Sequence, residues 1–367
     1  MKELYEKNKL FFVILSVVAI GFLFWYFSNI VTFILIAVVV TLIGTPIVNL
    51  LCKIRIGKFH FPHILAVILT LIFMLAAFIG FFSFFIPLIL TEAQLISSID
   101  VSQLSHHFEN EIIWIERELI ELGVLKKEVS IIAALQEMAM KFINIDMFSN
   151  LLTQIFTFTG TFFFDLFSVL FISFFFLNDP EMIRTIVLTI MPGKYADQTN
   201  RVLDKSKHLL SRYFIALFLD VVAMIISYSI GLSIIGIEGA IVIAFFAGII
   251  NIIPYLGPLI ATGMGVILGV TSMISIGHYG MIGHIALFIM LVFLIVIVID
   301  NVVYQPLIYG KSVKAHPIEI FLVIIAAGSV GGIIGMVIAV PTYTLLRIVA
   351  KEFLSQFRVV RSLTEKL

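Results

Sequence analysis

Eight apolar runs of at least 18 residues recur along this chain, at 10–27, 30–51, 61–90, 151–177, 213–235, 240–270, 284–303 and 318–346. Runs of that length match the span of a helix across a hydrocarbon core of about 30 Å. With 61% hydrophobic and 13% charged residues in 367 and a mean hydropathy of +1.16, too much apolar surface is present for a water-soluble globule to bury. Outer-membrane barrels carry short alternating segments instead of continuous runs. The fold class is therefore all-α and integral to the membrane, crossing it many times.

The 23 Lys and Arg balance 23 Asp and Glu, so no basic field points to nucleic acid. One cysteine, Cys52, excludes an internal disulfide and a thiolate metal site. Residues 1–9 are charged and 10–27 apolar, with no small-x-small cleavage pattern between this run and the next, so a retained helix is expected.

Polar stretches organise the rest. Residues 1–90 read as three scaffold spans. Residues 91–150 mix ten acids and four bases with apolar residues at helical spacing and read as an extracytoplasmic amphipathic region. Its His106-His107 pair lacks a supporting ligand set, so no metal site is expected. Residues 151–212 read as a fourth span followed by cytoplasmic amphipathic helix; Asp179-Pro180-Glu181 carries a helix-start pattern, and Pro192-Gly193 a break. Residues 213–346 read as the transport unit, and 347–367 as a cytoplasmic tail.

Lys and Arg concentrate on cytoplasmic loops. If 240–270 and 318–346 each crossed once, Lys311 and Lys314 would lie outside. If both are re-entrant hairpins, 19 of the 23 Lys and Arg lie inside, and both termini are cytoplasmic. Each segment has a central breaker, Pro254-Tyr255-Leu256-Gly257-Pro258 in one and Gly328-Ser329-Val330-Gly331-Gly332 in the other. A shift of 81 residues superposes Ile237-Glu238 on Ile318-Glu319, the trace of an inverted repeat. Opposed broken helices are a transporter architecture, with the site where they meet.

From Tyr213 to Gly310 there is no Lys or Arg, yet Asp220, Glu238 and Asp300 are present; Asp165 sits similarly in the fourth span. An acid within a span is costly, and it is met by protonation, by a bound cation or by a structural hydrogen bond. Asp220 and Asp300 are the primary candidates for a proton or cation site; capping is the alternative for each. Glu238 suits an interfacial turn. Asn251, Pro254, Tyr255, Gly257 and Pro258 form a broken segment where prolines leave carbonyls free for a cation or polyol, or where the helix merely kinks. Asn301, Pro306, Gly331 and Gly332 complete the primary set, and Asp165, Glu238 and His316 the secondary one. The glycines also serve close helix packing. His316 and its neighbouring lysines could face lipid head groups or simply form a positive cytoplasmic loop.

No H-E-x-x-H, G-x-S-x-G or Walker A pattern is present, so an enzyme or an ATP-driven pump is not expected, nor a catalytic residue, metal or cofactor. Secondary or passive transport remains.

Phe176-Leu177-Asn178-Asp179, Asn251 through Pro258, Asp300-Asn301-Val302-Val303-Tyr304-Gln305-Pro306, Gly310-Lys311, His316-Pro317, and Gly332-Ile333-Ile334-Gly335 leading to Ala339-Val340-Pro341 resemble, in order and spacing, the AI-2E family of bacterial transporters. The resemblance implies an inner-membrane, elevator-like transporter that forms homo-oligomers, pentamers among them. It implies either sodium or lithium/proton antiport or export of the quorum signal autoinducer-2. Where the family commonly carries Gly-Gln, this chain has Ile215-Ala216-Leu217-Phe218, with Asp220 close behind. Partners implied are a cation or small solute, protons and membrane lipids. A non-transporting oligomeric scaffold or pore is the remaining alternative.

Overall fold

A computed structural model describes residues 21–22, 26–56, 59–97, 159–275, 282–309 and 316–355. Most of the expected first span, the amphipathic region at 98–150 with its histidine pair, Lys311, Lys314 and most of the tail lie outside these residues.

In chain order the helices are α1 (Ser28–Cys52), α2 (His63–Ser97), α3 (Thr159–Asn178), α4 (Met182–Ile190), α5 (Ala196–Ile234), α6 (Ala240–Ile250), α7 (Leu256–Ser275), α8 (Ile282–Ile299) and α9 (Pro317–Phe353). A ten-residue π-helix, Asp300–Tyr309, follows α8 directly. Between α1 and α2 lie two short antiparallel strands, β1 (Arg55–Ile56) and β2 (Phe59–His60). Among the described residues, six helical segments are long and apolar enough to cross a membrane. The chain is a multi-pass, all-α membrane protein.

The described residues divide into two compact units. One holds those up to Ala76 and from 159 to Phe214; the other holds those from Ala77 to Ser97 and from Ile215 onward. In the first unit, α1 packs on α3 around Gly44, where an added Cβ would meet the Leu177 side chain at 3.3 Å. Val48, Ala66, Val67, Leu71 and Leu177 form its core. The Ser211 hydroxyl donates to the Leu42 carbonyl at 2.8 Å. Asp179 accepts from the Glu181 backbone N–H, but the helix it announces begins later, at Met182. There the chain bends by 87° out of α3 into α4.

The expected amphipathic helix after residue 196 and the fifth span are one helix of 39 residues, α5. No Gly or Pro interrupts it before Gly231, so nothing in the backbone stops it. Its length of about 58 Å exceeds a bilayer, and its polar first half carries the charge.

The second unit is organised by two helical hairpins. In the first, the 11 residues of α6 span about 16 Å, too short to cross. A turn at 251–255 follows, with Tyr255 at φ 66°, and α7 returns against α6. The Ser272 hydroxyl donates to the Glu238 carbonyl at 2.9 Å and closes the base. Gly257 stands so close to the Ile250 carbonyl that a Cβ would overlap it.

The second hairpin is α9 itself. A straight helix would hold residues 319 and 343 about 36 Å apart. Instead the Tyr343 hydroxyl donates to the Glu319 carboxylate at 2.9 Å. Gly335 abuts the carbonyl of Ala327, eight residues earlier. The reversal occurs at Gly332, whose φ 57° and ψ −143° lie outside the helical range. Both breakers read from the sequence thus mark the apex of a helical hairpin, and Glu238 and Glu319 each stand at a base.

Candidate functional site

The site assembles in the second unit, on α5, α8 and the π-helix. The core there is Met224, Tyr228 and Leu232 of α5, Ile243, Ala244 and Ala247 of α6, Ala261 of α7, and Ile289, Phe293 and Val296 of α8. Small residues let these helices approach: a Cβ on Gly265 would strike the Phe293 ring, and one on Gly248 would strike Ile225. The Tyr228 and Phe293 rings lie 4.4 Å apart.

Within this apolar setting lie two carboxyl groups. Asp220 is 6% exposed and Asp300 3%. Asp220 and Asp300 are close enough to interact, and Tyr228, two turns on from Asp220, is near enough to feel both charges. An ionised carboxylate only accepts hydrogen bonds, so a bond between two carboxyls requires a shared proton. A cation held between them can replace that proton.

The π-helix explains how Asp300 is held. Its i→i+5 repeat places residues five apart on one face. Gln305 accordingly donates to the Asp300 carboxylate at 2.9 Å, and to the Asn301 side-chain oxygen at 3.3 Å. Asn301 donates in turn to the Ile297 carbonyl at 2.7 Å. Pro306 lacks an N–H and crowds the preceding turn, and the wider winding accommodates it. The segment after Asp300 is therefore helical to Tyr309, not the loop that capping by Asp300 would presuppose. A second tie crosses to α5, where the Ser227 and Tyr304 hydroxyls lie 2.7 Å apart.

Asn251 begins the first hairpin's turn, one helical turn beyond Gly248, which packs at Val221 next to Asp220. Its Oδ1 and the Tyr228 hydroxyl are buried with no hydrogen-bond partner among the described residues. The carbonyls left without donors by the prolines are engaged: that of Ile250 accepts from the Ile253 N–H at 3.1 Å, and that of Pro254 from the Leu256 N–H at 2.8 Å.

The other sequence candidates stand elsewhere. Tyr255 is half-exposed and packs edge-on against Phe321, with ring centroids 6.3 Å apart. Gly331 and Gly332 lie at the exposed apex of α9, about 15 Å along the helix from Phe321, and are not brought to the Tyr255 turn. Pro306 is exposed on the π-helix, and Glu238 is exposed at the base of the first hairpin. His316 caps α9, its Nδ1 accepting from the Ile318 N–H at 3.3 Å. Asp165 is half-buried in α3 of the first unit.

Sequence reasoning missed Ser227, Tyr228, Tyr304 and Gln305. For Tyr228 a signal existed: it lies eight residues from Asp220, on the same helical face.

Comparison with known proteins adds lineage. A profile of the AI-2E family of transporters matches residues 12–355. YueF of Bacillus subtilis strain 168, named provisionally as a transport protein, is 32% identical over 180 residues, covering 49% of this chain and 46% of that one. YrrI of the same organism, named likewise, is 26% identical over 186 residues, half of each chain. MT0215 of Mycobacterium tuberculosis, again named provisionally for transport, is 27% identical over 174 residues, 47% of this chain and 45% of the relative. The matched stretch thus spans about half the length of these curated relatives.

Proposed function

The chain belongs to the AI-2E family of transporters, and from that membership we propose that it is a secondary transporter exchanging protons for a cation, Na⁺ or Li⁺, at the Asp220–Asp300 pair. The carrying observation is the contact of two buried carboxyls on helices that hold no Lys or Arg from Tyr213 to Gly310. A proton or a small cation can occupy the position between them, but not both together. Competition for one site is the minimum that antiport requires. The first hairpin, packed beside Asp220, and the second are the elements that would move in an elevator-like cycle, within a homo-oligomer in a bacterial inner membrane.

Export of a small polar organic solute, such as autoinducer-2, is the second reading. It is supported by the buried Asn251 Oδ1 and Tyr228 hydroxyl, which a polyol could satisfy.

Purified protein in liposomes loaded with a pH-sensitive dye tests both. Under an imposed pH gradient, saturable collapse on adding Na⁺ or Li⁺, lost in Asp220→Asn, is the expected result. Collapse with a furanone diol alone would favour the second reading. No saturable response to cation or diol would overturn both and leave a scaffold or a pore.

A further inference from the structure

The first unit contains a cavity of about 190 Å³ that the proposed transport cycle does not use. Taking about 30 Å³ per water, it holds the equivalent of about six waters. Its lining combines apolar side chains, Leu42 of α1 and Phe176 of α3 among them, with Glu181, Arg184, Asp204, Ser206 and Lys207. It sits where α3 ends and the chain bends by 87° into α4.

The charges in this lining are paired in an informative way. Arg184 bridges Glu181, at 3.4 Å, and Asp204. Lys207, one turn of α5 from Asp204, has no ion-pair partner among the described residues. Ser206 lines the cavity at 7% exposure, and its hydroxyl finds no partner there among the described residues. A buried hydroxyl without a partner is costly, and a lysine beside it supplies a positive charge. Together with the remaining donors of Arg184 they form a phosphate-binding set. Glu181 and Asp204, both largely exposed, present acceptors at the rim, within reach of a cation attached to that phosphate.

We propose that this cavity binds a phosphoethanolamine group, its phosphate on Ser206, Lys207 and Arg184 and its ammonium at Glu181 and Asp204. Two positive and two negative side chains match a zwitterion and discriminate against a purely anionic head group. The source is either a membrane phospholipid, its glycerol and chains against the apolar side chains, or a soluble phosphoamine.

The test uses the full chain, purified from bilayers of equimolar phosphatidylethanolamine and phosphatidylglycerol, with retained lipid read by native mass spectrometry. The wild type should retain phosphatidylethanolamine about tenfold over phosphatidylglycerol. Lys207→Gln should lose most of that retention, and Ser206→Leu, which fills the cavity, should lose all of it. Asp204→Asn should reverse the preference. Displacement by millimolar glycerophosphoethanolamine would assign the site to a soluble phosphoamine as well; failure to displace would assign it to lipid. Equal or greater retention of phosphatidylglycerol by the wild type overturns the proposal. Unchanged retention in Lys207→Gln, at a surface position that does not threaten folding, does the same.

Discussion

At the scale of single residues the carboxyl pair carries the sharpest consequence. Asp220→Asn changes no volume, and the amide can still donate to Asp300, so the core around Met224 and Phe293 should keep its packing. The proton that the two acids exchange is gone, however. Cation-driven proton flux in liposomes should fall to the protein-free background in Asp220→Asn and in Asp300→Asn, while both variants melt close to the wild type. Retained exchange in both would remove the pair from the mechanism. Tyr304→Phe tests support instead of chemistry. It removes one of the two partners of the Ser227 hydroxyl, which also donates to the Ala223 carbonyl, and should lower stability by about 0.5–1.5 kcal/mol, measured by thermal melting in detergent, with exchange still present. The acids were legible in the sequence because an ionisable group within an apolar run has few inexpensive explanations. Tyr304 and Gln305 were not. Their roles depend on a π winding that brings residue 305 over residue 300, and α-helical periodicity would have placed residue 304 there instead.

Helical elements obey their breakers. Both hairpin apexes could be read from the Pro-Gly and Gly-Gly segments, because clustered breakers end a helix where single ones such as Pro46, Pro87 and Pro341 are carried within it. The continuity of α5 could not: the change from polar to apolar at about residue 213 looked like a boundary, but solvent changes there while the backbone does not. At the α9 apex three glycines separate backbone strain from crowding. Gly332 has open space around it but a φ of 57°, so Gly332→Ala should cost about 1–3 kcal/mol through conformation alone. Gly335 abuts the Ala327 carbonyl, so Gly335→Ala should force the arms apart and weaken the Tyr343–Glu319 bond at the base. Gly331 has open space and no positive φ and should tolerate Ala. Melting temperatures of the three variants check the order, and a neutral Gly332→Ala would argue against a sharp reversal there.

Across the second unit as a whole, the packing of Tyr255 on Phe321 joins the apex of the first hairpin to the base of the second. Hairpins entering from one side would set apex beside apex and base beside base. An apex beside a base is what opposed hairpins would give, and cross-linking tests that arrangement. In a Cys52→Ser background, Tyr255→Cys with Phe321→Cys should join under a short bismaleimide. Tyr255→Cys with Val330→Cys should not, because Val330, 91% exposed, lies about 14 Å further along the arm. Orientation in the membrane follows from the bases. Glu238→Cys and His316→Cys are both exposed, so a membrane-impermeant maleimide applied to sealed right-side-out and inverted vesicles should label each from one face only, and from opposite faces. Labelling of both from the same face would show that one of the two segments crosses fully. Lys311 and Lys314 would then need a different placement, and the proposed transport cycle would lose its pair of opposed hairpins.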